Sequence, residues 1–339
     1  MSSRDRDWDG VRLHVVTGKG GTGKTTVAAA LALALAAEGG RVLLVEVEGR
    51  QGIAPLFGVP PLSYEERAVA VTEDGGEVHA LAVDAEEAFL EYLEMFYGLR
   101  RAGGALRRFG AVDFATAVAP GARDVLLTGK VTEAVRRRAA SARRGRRGAQ
   151  GPHVYDAVVL DAPPTGRITR FLNVTAEVSG LARVGPVRDH ADQVMEVIRS
   201  PETVVHFVAL LEEMPVQECL DGIAEAREAG LEVGGILVNM VRPVLLEEAV
   251  LASAADGVVD VAVLARGLRA AGLPDHERLA RELSGEVVEH ARQVRMAAEA
   301  RKRLATAERP CYDVAFLEEG VDLPGLHRLA GSLRAQGAV

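Results

Sequence analysis

Gly18-Lys19-Gly20-Gly21-Thr22-Gly23-Lys24-Thr25-Thr26 follows an apolar run, Arg12–Thr17, and precedes an uninterrupted helix-forming run, Val27–Glu38. A glycine-rich turn between a strand and a helix aims several backbone N–H groups at one point. The helix start adds the positive end of its dipole, so the loop is built to hold phosphate. Residues 18–25 satisfy G-x-x-x-x-G-K-[ST]. In that pattern Lys24 can reach the outer phosphates and the Thr25 hydroxyl can sit on Mg²⁺. A lone glycine-rich turn would carry little information; here the strand before it and the helix after it supply the context. A second lysine, Lys19, stands at the start of the loop, where an ordinary phosphate loop needs none.

Composition sharpens the point. The chain has 40 basic residues, of which four are lysines (Lys19, Lys24, Lys130 and Lys302). Basic positions therefore default to arginine, and the two lysines in the loop look chosen for chemistry. A compact ammonium on a flexible stem suits a phosphate cradle in a way a planar guanidinium does not.

The 339 residues can bury a large core, and apolar residues at 48% with charged residues at 26% are ordinary for a soluble protein. Aromatics are sparse at 4%, so Ala, Val and Leu must fill the interior. The formal charge of −8 argues against a general nucleic-acid binder. The N-terminal residues read as polar rather than as a signal sequence, and Val27–Ala37 is too short to span a bilayer, so a cytoplasmic protein is expected, with membrane contact at most peripheral. Cys219 and Cys311 form neither a CxxC nor a metal spacing, and the eight histidines are scattered without ligand spacing.

Short β-rich runs alternate with helical ones. Strands are expected at Arg12–Thr17, Arg41–Val47, Val78–Val83, Tyr155–Leu160, Thr203–Leu210, Gly234–Asn239 and Cys311–Phe316, with helices such as Thr25–Glu38 and Val216–Ala229 between them. The near-continuous apolar strands and the alternation predict an α/β fold with a doubly wound, mostly parallel sheet. Ligands of such sheets bind at the carboxyl ends of the strands, where the loop lies. The chain reads as one phosphate-loop domain over 1–339, with helical insertions at approximately 85–150 and 245–304 forming a subdomain beside the nucleotide site. Arg136–Gly148 is basic and rich in small residues: a solvated loop, or a contact for an acidic partner or anionic lipid.

Two further motifs carry carboxylates. Tyr155–Leu160 runs into Asp161-Ala162-Pro163-Pro164-Thr165-Gly166-Arg167. An Asp at the tip of a buried strand needs a cation or donors, and beside a phosphate loop hydrated Mg²⁺ fills that need. The alternative is an Asp that caps the next helix. The segment after it combines stiff prolines with a glycine and could move with the γ-phosphate. Val45-Glu46-Val47-Glu48-Gly49 ends the second strand, with Glu46 and Glu48 on the same side at period two. A carboxylate there could orient a water for in-line attack; two solvated loop acids are the other reading.

Together these residues resemble a known family. KGGTGKTT with Lys19 looks like the deviant Walker A of the SIMIBI-class P-loop ATPases. DAPPTG, followed by Arg167-Ile168-Thr169-Arg170-Phe171-Leu172, resembles the switch II of the arsenite-pump (ArsA) and guided-entry, tail-anchored-protein targeting ATPases. Ile236–Met240 resembles their adenine-binding strand end, and Arg41–Gly58 aligns with their switch I. The pattern is most similar to an actinobacterial, anion-transporting ATPase branch. The resemblance implies ATP and Mg²⁺ as cofactors and a dimer, either a homodimer or a heterodimer with a paralogous P-loop ATPase. Lys19 would cross to the partner's phosphates. Gly20, Gly21, Thr22, Gly23, Lys24 and Thr26 would cradle the triphosphate. Thr25 would bind Mg²⁺, with Asp161 acting through water, and Asn239 would read adenine. Lys19, Lys24, Glu48 and Asp161 would form the catalytic set.

The departures matter equally. Glu48-Gly49-Arg50-Gln51 stands where the family has D-P-A-H, and the longer Glu side chain must sit differently to hold the same water. Arg167 replaces the usual His of switch II. The bridging zinc CxxC and the arsenite-binding cysteine set are missing, and six methionines do not make a Met-rich client groove. The expectation is a dimeric switch ATPase coupled to a helical surface that takes a protein or hydrophobic-helix client. A nucleotide-gated scaffold with little hydrolysis is the alternative. A positioning ATPase of the ParA or MinD kind is the second, disfavoured by the acidic chain and by a last helix without a lysine-rich face.

Overall fold

The structure is a computed structural model that describes residues 8–47, 49, 51–97, 120–139, 151–173 and 186–339. Its centre is an eight-stranded sheet of β1 (Leu13–Gly18), β2 (Arg41–Glu46), β3 (Arg67–Val71), β4 (Glu77–Ala82), β5 (Ala157–Asp161), β6 (Thr203–Ala209), β7 (Val233–Val241) and β8 (Cys311–Ala315). The spatial order is β3-β4-β2-β5-β1-β6-β7-β8, and every pairing is parallel except β3 with β4. β1, β5 and β6 are buried along their whole length, as strands covered on both faces must be. β1 lies between β5 and β6, so the loop that leaves it emerges at the middle of the carboxyl edge.

Helix α1 (Lys24–Ala36) follows that loop directly. Its sequence, KTTVAAALALALA, is apolar nearly all round, and ten of its thirteen residues are buried. A helix of that kind needs cover on two sides. The sheet supplies one, and α11 (Leu323–Ala335) supplies the other through Leu326, Leu329 and Leu333. On the opposite face of the sheet lie α5 (Thr165–Leu172), α6 (Pro186–Ile198) and α7 (Glu213–Glu228). The short α2 is Ile53–Leu56. The first helical insertion contributes α3 (Ala85–Tyr97) and α4 (Pro120–Arg136). The second contributes α8 (Glu248–Ala255), α9 (Val261–Ala270) and α10 (His276–Ala305).

The seven strands expected from sequence are all present, with ends moved by one or two residues. β5 starts at Ala157 rather than Tyr155; just before it, the Asp156 N–H donates to Arg41 O at 2.8 Å and the Asp156 carboxylate accepts the Arg41 N–H at 2.7 Å. The eighth strand, β3, was not expected. It is a short antiparallel edge closed by a turn in which the Thr72 N–H donates to Gly76 O at 2.8 Å and the Gly76 N–H donates to Thr72 Oγ1 at 2.9 Å. Asp74-Gly75 between two alternating runs was the available signal. Of the basic stretch Arg136–Gly148, Arg137 is tied down by Glu133 and by Glu66 at 2.6 Å. Arg138 bridges to His153, and residues 140–150 lie outside the described residues.

Candidate nucleotide site

The loop's backbone follows its glycines. Gly21 and Gly23 have φ of 87° and 80°, the left-handed region that glycine enters without a side-chain clash. Gly23 caps α1 in that conformation, and a methyl group there would sit 2.3 Å from Asn239 Nδ2. Around Gly20 and Gly21, by contrast, the space is open. The loop thus presses its last glycine against β7 and turns its middle outward.

Polar cross-links hold it. Lys24 is 8% exposed, and its Nζ donates to the Lys19 carbonyl at 3.3 Å, folding the side chain back over the loop. Thr22 Oγ1 donates to the same carbonyl at 2.9 Å. The Thr25 hydroxyl donates to Asp161 Oδ2 at 2.6 Å, joining the first turn of α1 to the end of β5. Asn239 is buried, and its Nδ2 donates to Thr22 O at 2.8 Å. Asn239 therefore latches the loop to β7.

The strand register brings the acids together. Glu46 ends β2 and pairs with Asp161, which ends β5. Gly21, Gly23, Lys24, Thr25, Glu46, Asp161 and Ala162 line one cavity of about 260 Å³. Of the expected residues, Gly21, Gly23, Lys24, Thr25 and Asp161 converge on it. Thr26 is the third residue of α1, and Gly20 lies on the exposed crest of the loop. Lys19 points along the surface, where its Nζ pairs with Glu218 of α7 at 2.9 Å. Glu48 lies outside the described residues.

The residue types suit a hydrated divalent cation beside a phosphate. Thr25 keeps lone pairs while donating its proton to Asp161, and two acceptor-only carboxylates stand on neighbouring strands. Such a cation, when bound, would neutralise charge building on the outer phosphates. The chain itself would contribute the backbone cradle, the Lys24 ammonium and two carboxylates able to orient water.

Sequence reasoning named Glu46 but placed the chemistry on Glu48. Strand register places Glu46, the last residue of β2, opposite Asp161. Glu218 was missed altogether, because an ion pair between residues 199 positions apart leaves no local pattern.

A family model described as anion-transporting ATPase matches residues 11–199. The chain is 52% identical over 330 residues to ATPase BagA of Mycobacterium tuberculosis, covering 97% of this chain and 94% of that protein. It is 27% identical over 257 residues to an arsenical pump-driving ATPase of Acidiphilium multivorum, covering 67% of this chain and 39% of that protein.

Proposed function

The chain belongs to the anion-transporting (ArsA) ATPase family, and from that premise we propose that it is a Mg²⁺-dependent ATP-hydrolysing switch that works as a dimer and passes its nucleotide state to a helical partner surface. The observation that carries this reading is the Thr25–Asp161 hydrogen bond. It ties the residue placed to meet the metal to the strand end that leads, through Ala162-Pro163-Pro164, into α5. Thr17 Oγ1 holds the Pro163 carbonyl at 2.7 Å, so that segment is fastened to β1 as well. α5 buries Ile168, Phe171 and Leu172 and packs on α4 and α7. Val47, Leu127, Pro163 and Arg167 share a cavity of about 230 Å³ that connects the strand ends to α4. A small movement at Asp161 has a packed route to the helical insertion.

The partner surface is supported by what lies at the end of that route. A cavity of about 340 Å³ opens among α3, α4 and α6, lined by Tyr64, Leu126, Lys130, Arg137, His190 and Val194 among others. Its charges are matched internally: Lys130 Nζ donates to both Glu91 carboxylate oxygens at 2.9 Å, and the Tyr64 hydroxyl donates to Glu91 too. Burial and the adjoining Glu91 raise the Tyr64 pKa, so the phenol stays protonated as a donor. The family's name points to anion or arsenical pumping; in this chain Cys219 is buried on α7 and Cys311 is exposed on β8, and two thiols do not supply a three-thiolate metalloid site among the described residues.

Lys24→Ala is expected to abolish ATP binding, measured by equilibrium binding of a fluorescent nucleotide. Lys19→Ala is expected to retain binding and lose most turnover or ATP-dependent dimer closure. Normal hydrolysis by both variants overturns the reading. A second reading, a nucleotide-gated subunit with little hydrolysis of its own, is favoured by the Lys19–Glu218 pair. That pair holds the signature lysine on its own chain rather than extended toward a partner. Single-turnover hydrolysis by the purified chain, alone and with a co-expressed paralogue, separates the two.

A further inference from the structure

We propose that Glu46 is a metal-site residue of this chain: it accepts from the water shell of a divalent cation in the phosphate cavity and, through Gly52, couples that cation to the segment Gln51–Phe57. The inference rests on the nucleotide-binding reading above and deepens it.

Glu46 is 2% exposed, at the last position of β2. Its two oxygens have different fates. Oε1 accepts the Gly52 N–H at 2.9 Å. Oε2 is buried and has no hydrogen-bond partner among the described residues. A buried carboxylate oxygen without a donor is costly, and on a side chain that lines a ligand cavity it calls for a donor from what fills that cavity. The cavity that Glu46 lines also holds Lys24, Thr25 and Asp161. A phosphate oxygen cannot satisfy Oε2, because both are acceptors. The water molecules of a bound cation can, and a small hard cation such as Mg²⁺ keeps several of them. The described residues contain no cluster of three or more His, Cys, Asp and Glu side chains able to cage a metal, which fits a cation held mainly through water.

The other oxygen makes the coupling. Gly52 lies directly on Thr25: a methyl group at Gly52 would come 3.2 Å from Thr25 Cγ2. The neighbouring Gln51 is held at φ 54°, an uncommon conformation for a non-glycine residue, by a two-way clasp on Leu62. Gln51 Nε2 donates to Leu62 O at 3.0 Å, and the Leu62 N–H donates to Gln51 Oε1 at 2.7 Å. The segment is therefore anchored at one side by Leu62 and at the other by Glu46. Glu46 is the anchor that also faces the cavity.

The test titrates Mg²⁺ against binding of a fluorescent ATP analogue to the full chain and to Glu46→Gln. The amide keeps a carbonyl for the Gly52 N–H but offers an N–H group where Oε2 stood, so it cannot accept from metal-bound water. The Mg²⁺ concentration for half-saturation should rise at least tenfold, more than any change in nucleotide affinity measured in chelator. An unchanged half-saturation overturns the inference. A measurement without any variant stands beside it: hydrogen exchange at the Gly52 amide of the natural chain with nucleotide bound. Exchange should slow at least tenfold when Mg²⁺ is added, and equal rates with and without Mg²⁺ overturn the coupling. A natural chain that binds no ATP at any Mg²⁺ concentration overturns the parent reading together with this one. Mg²⁺-dependent binding that Glu46→Gln leaves untouched overturns this one alone.

Discussion

The nucleotide corner and the arm formed by α8, α9 and α10 are made by the same chain on opposite principles. At the corner, polar and charged side chains are buried and cross-linked: Thr25 to Asp161, Asn239 to Thr22, Lys24 to Lys19, Glu46 to Gly52. In the arm, the buried core is Ala254, Ala255, Val287 and Ala291, and α9 buries no residue. Val258 and Val263 are exposed on it, and the Arg295–Asp256 pair that ties α10 to α8 is itself exposed. Exposed pairs of that kind contribute roughly 0–1 kcal/mol. A cradle for a multiply charged ligand must be rigid before the ligand arrives, so its donors and acceptors are fixed by neighbours. Among the described residues the arm instead has a small core and exposed apolar side chains.

The contrast can be broken or sharpened by experiment. The largest effect belongs to α1, which carries the loop. Leu31 is fully buried between the sheet and α11, and Leu31→Ala is expected to cost about 2–5 kcal/mol in chemical unfolding. A cost below about 1 kcal/mol would mean that the corner is not rigidly backed.

Next comes acidity. His14 and His206 lie side by side on β1 and β6, both fully buried under Trp8, with His14 Nδ1 and His206 Nε2 3.0 Å apart. The Gly235 N–H donates to His206 Nδ1, so His206 carries its proton on Nε2 and donates it to His14. Desolvation pushes the His14 pKa down to about 3 and holds that of His206 well below its ordinary value, with His14 adding to the latter. The unfolded chain takes up protons below about pH 6.5, and the native pair does not. Stability is therefore complete above that pH and declines as the pH falls toward the native values, by on the order of 1 kcal/mol per pH unit per histidine. Unfolding midpoints at pH 7.5, 6.5 and 5.5 check this, in a window above ordinary carboxylate titration. A flat profile would show that the pair is protonated, or that water reaches it.

The smallest effect belongs to the arm. Val263→Ala, on the exposed face of α9, is expected to change stability by less than about 0.5 kcal/mol and to leave ATP binding unaltered. If it lowers nucleotide affinity, the arm is coupled to the corner more tightly than its packing indicates.

Much of the corner was legible in the chain. Gly18–Thr25 and Asp161 are local motifs, and a local motif needs only its own neighbours to be read. The parallel sheet was legible because strands covered on both faces must be apolar throughout. The edge strand β3, half exposed and closed by a tight turn, carries a weaker pattern and escaped notice. The place of Glu46 was not legible for another reason. Period two made Glu46 and Glu48 equivalent, and only pairing of β2 with β5 put Glu46 opposite Asp161.

The sequence by itself determined a glycine loop of the phosphate-binding pattern, with a spare lysine and an acid at a strand tip, because those groups are set by residue type and short spacing. Tertiary structure alone decided that Lys19 rests on Glu218, that Asn239 latches Thr22, and that one oxygen of Glu46 is engaged while the other is buried without a donor among the described residues. Each of those facts joins residues far apart in the chain, and long-range pairing is set by how the strands and helices pack rather than by any pattern along them.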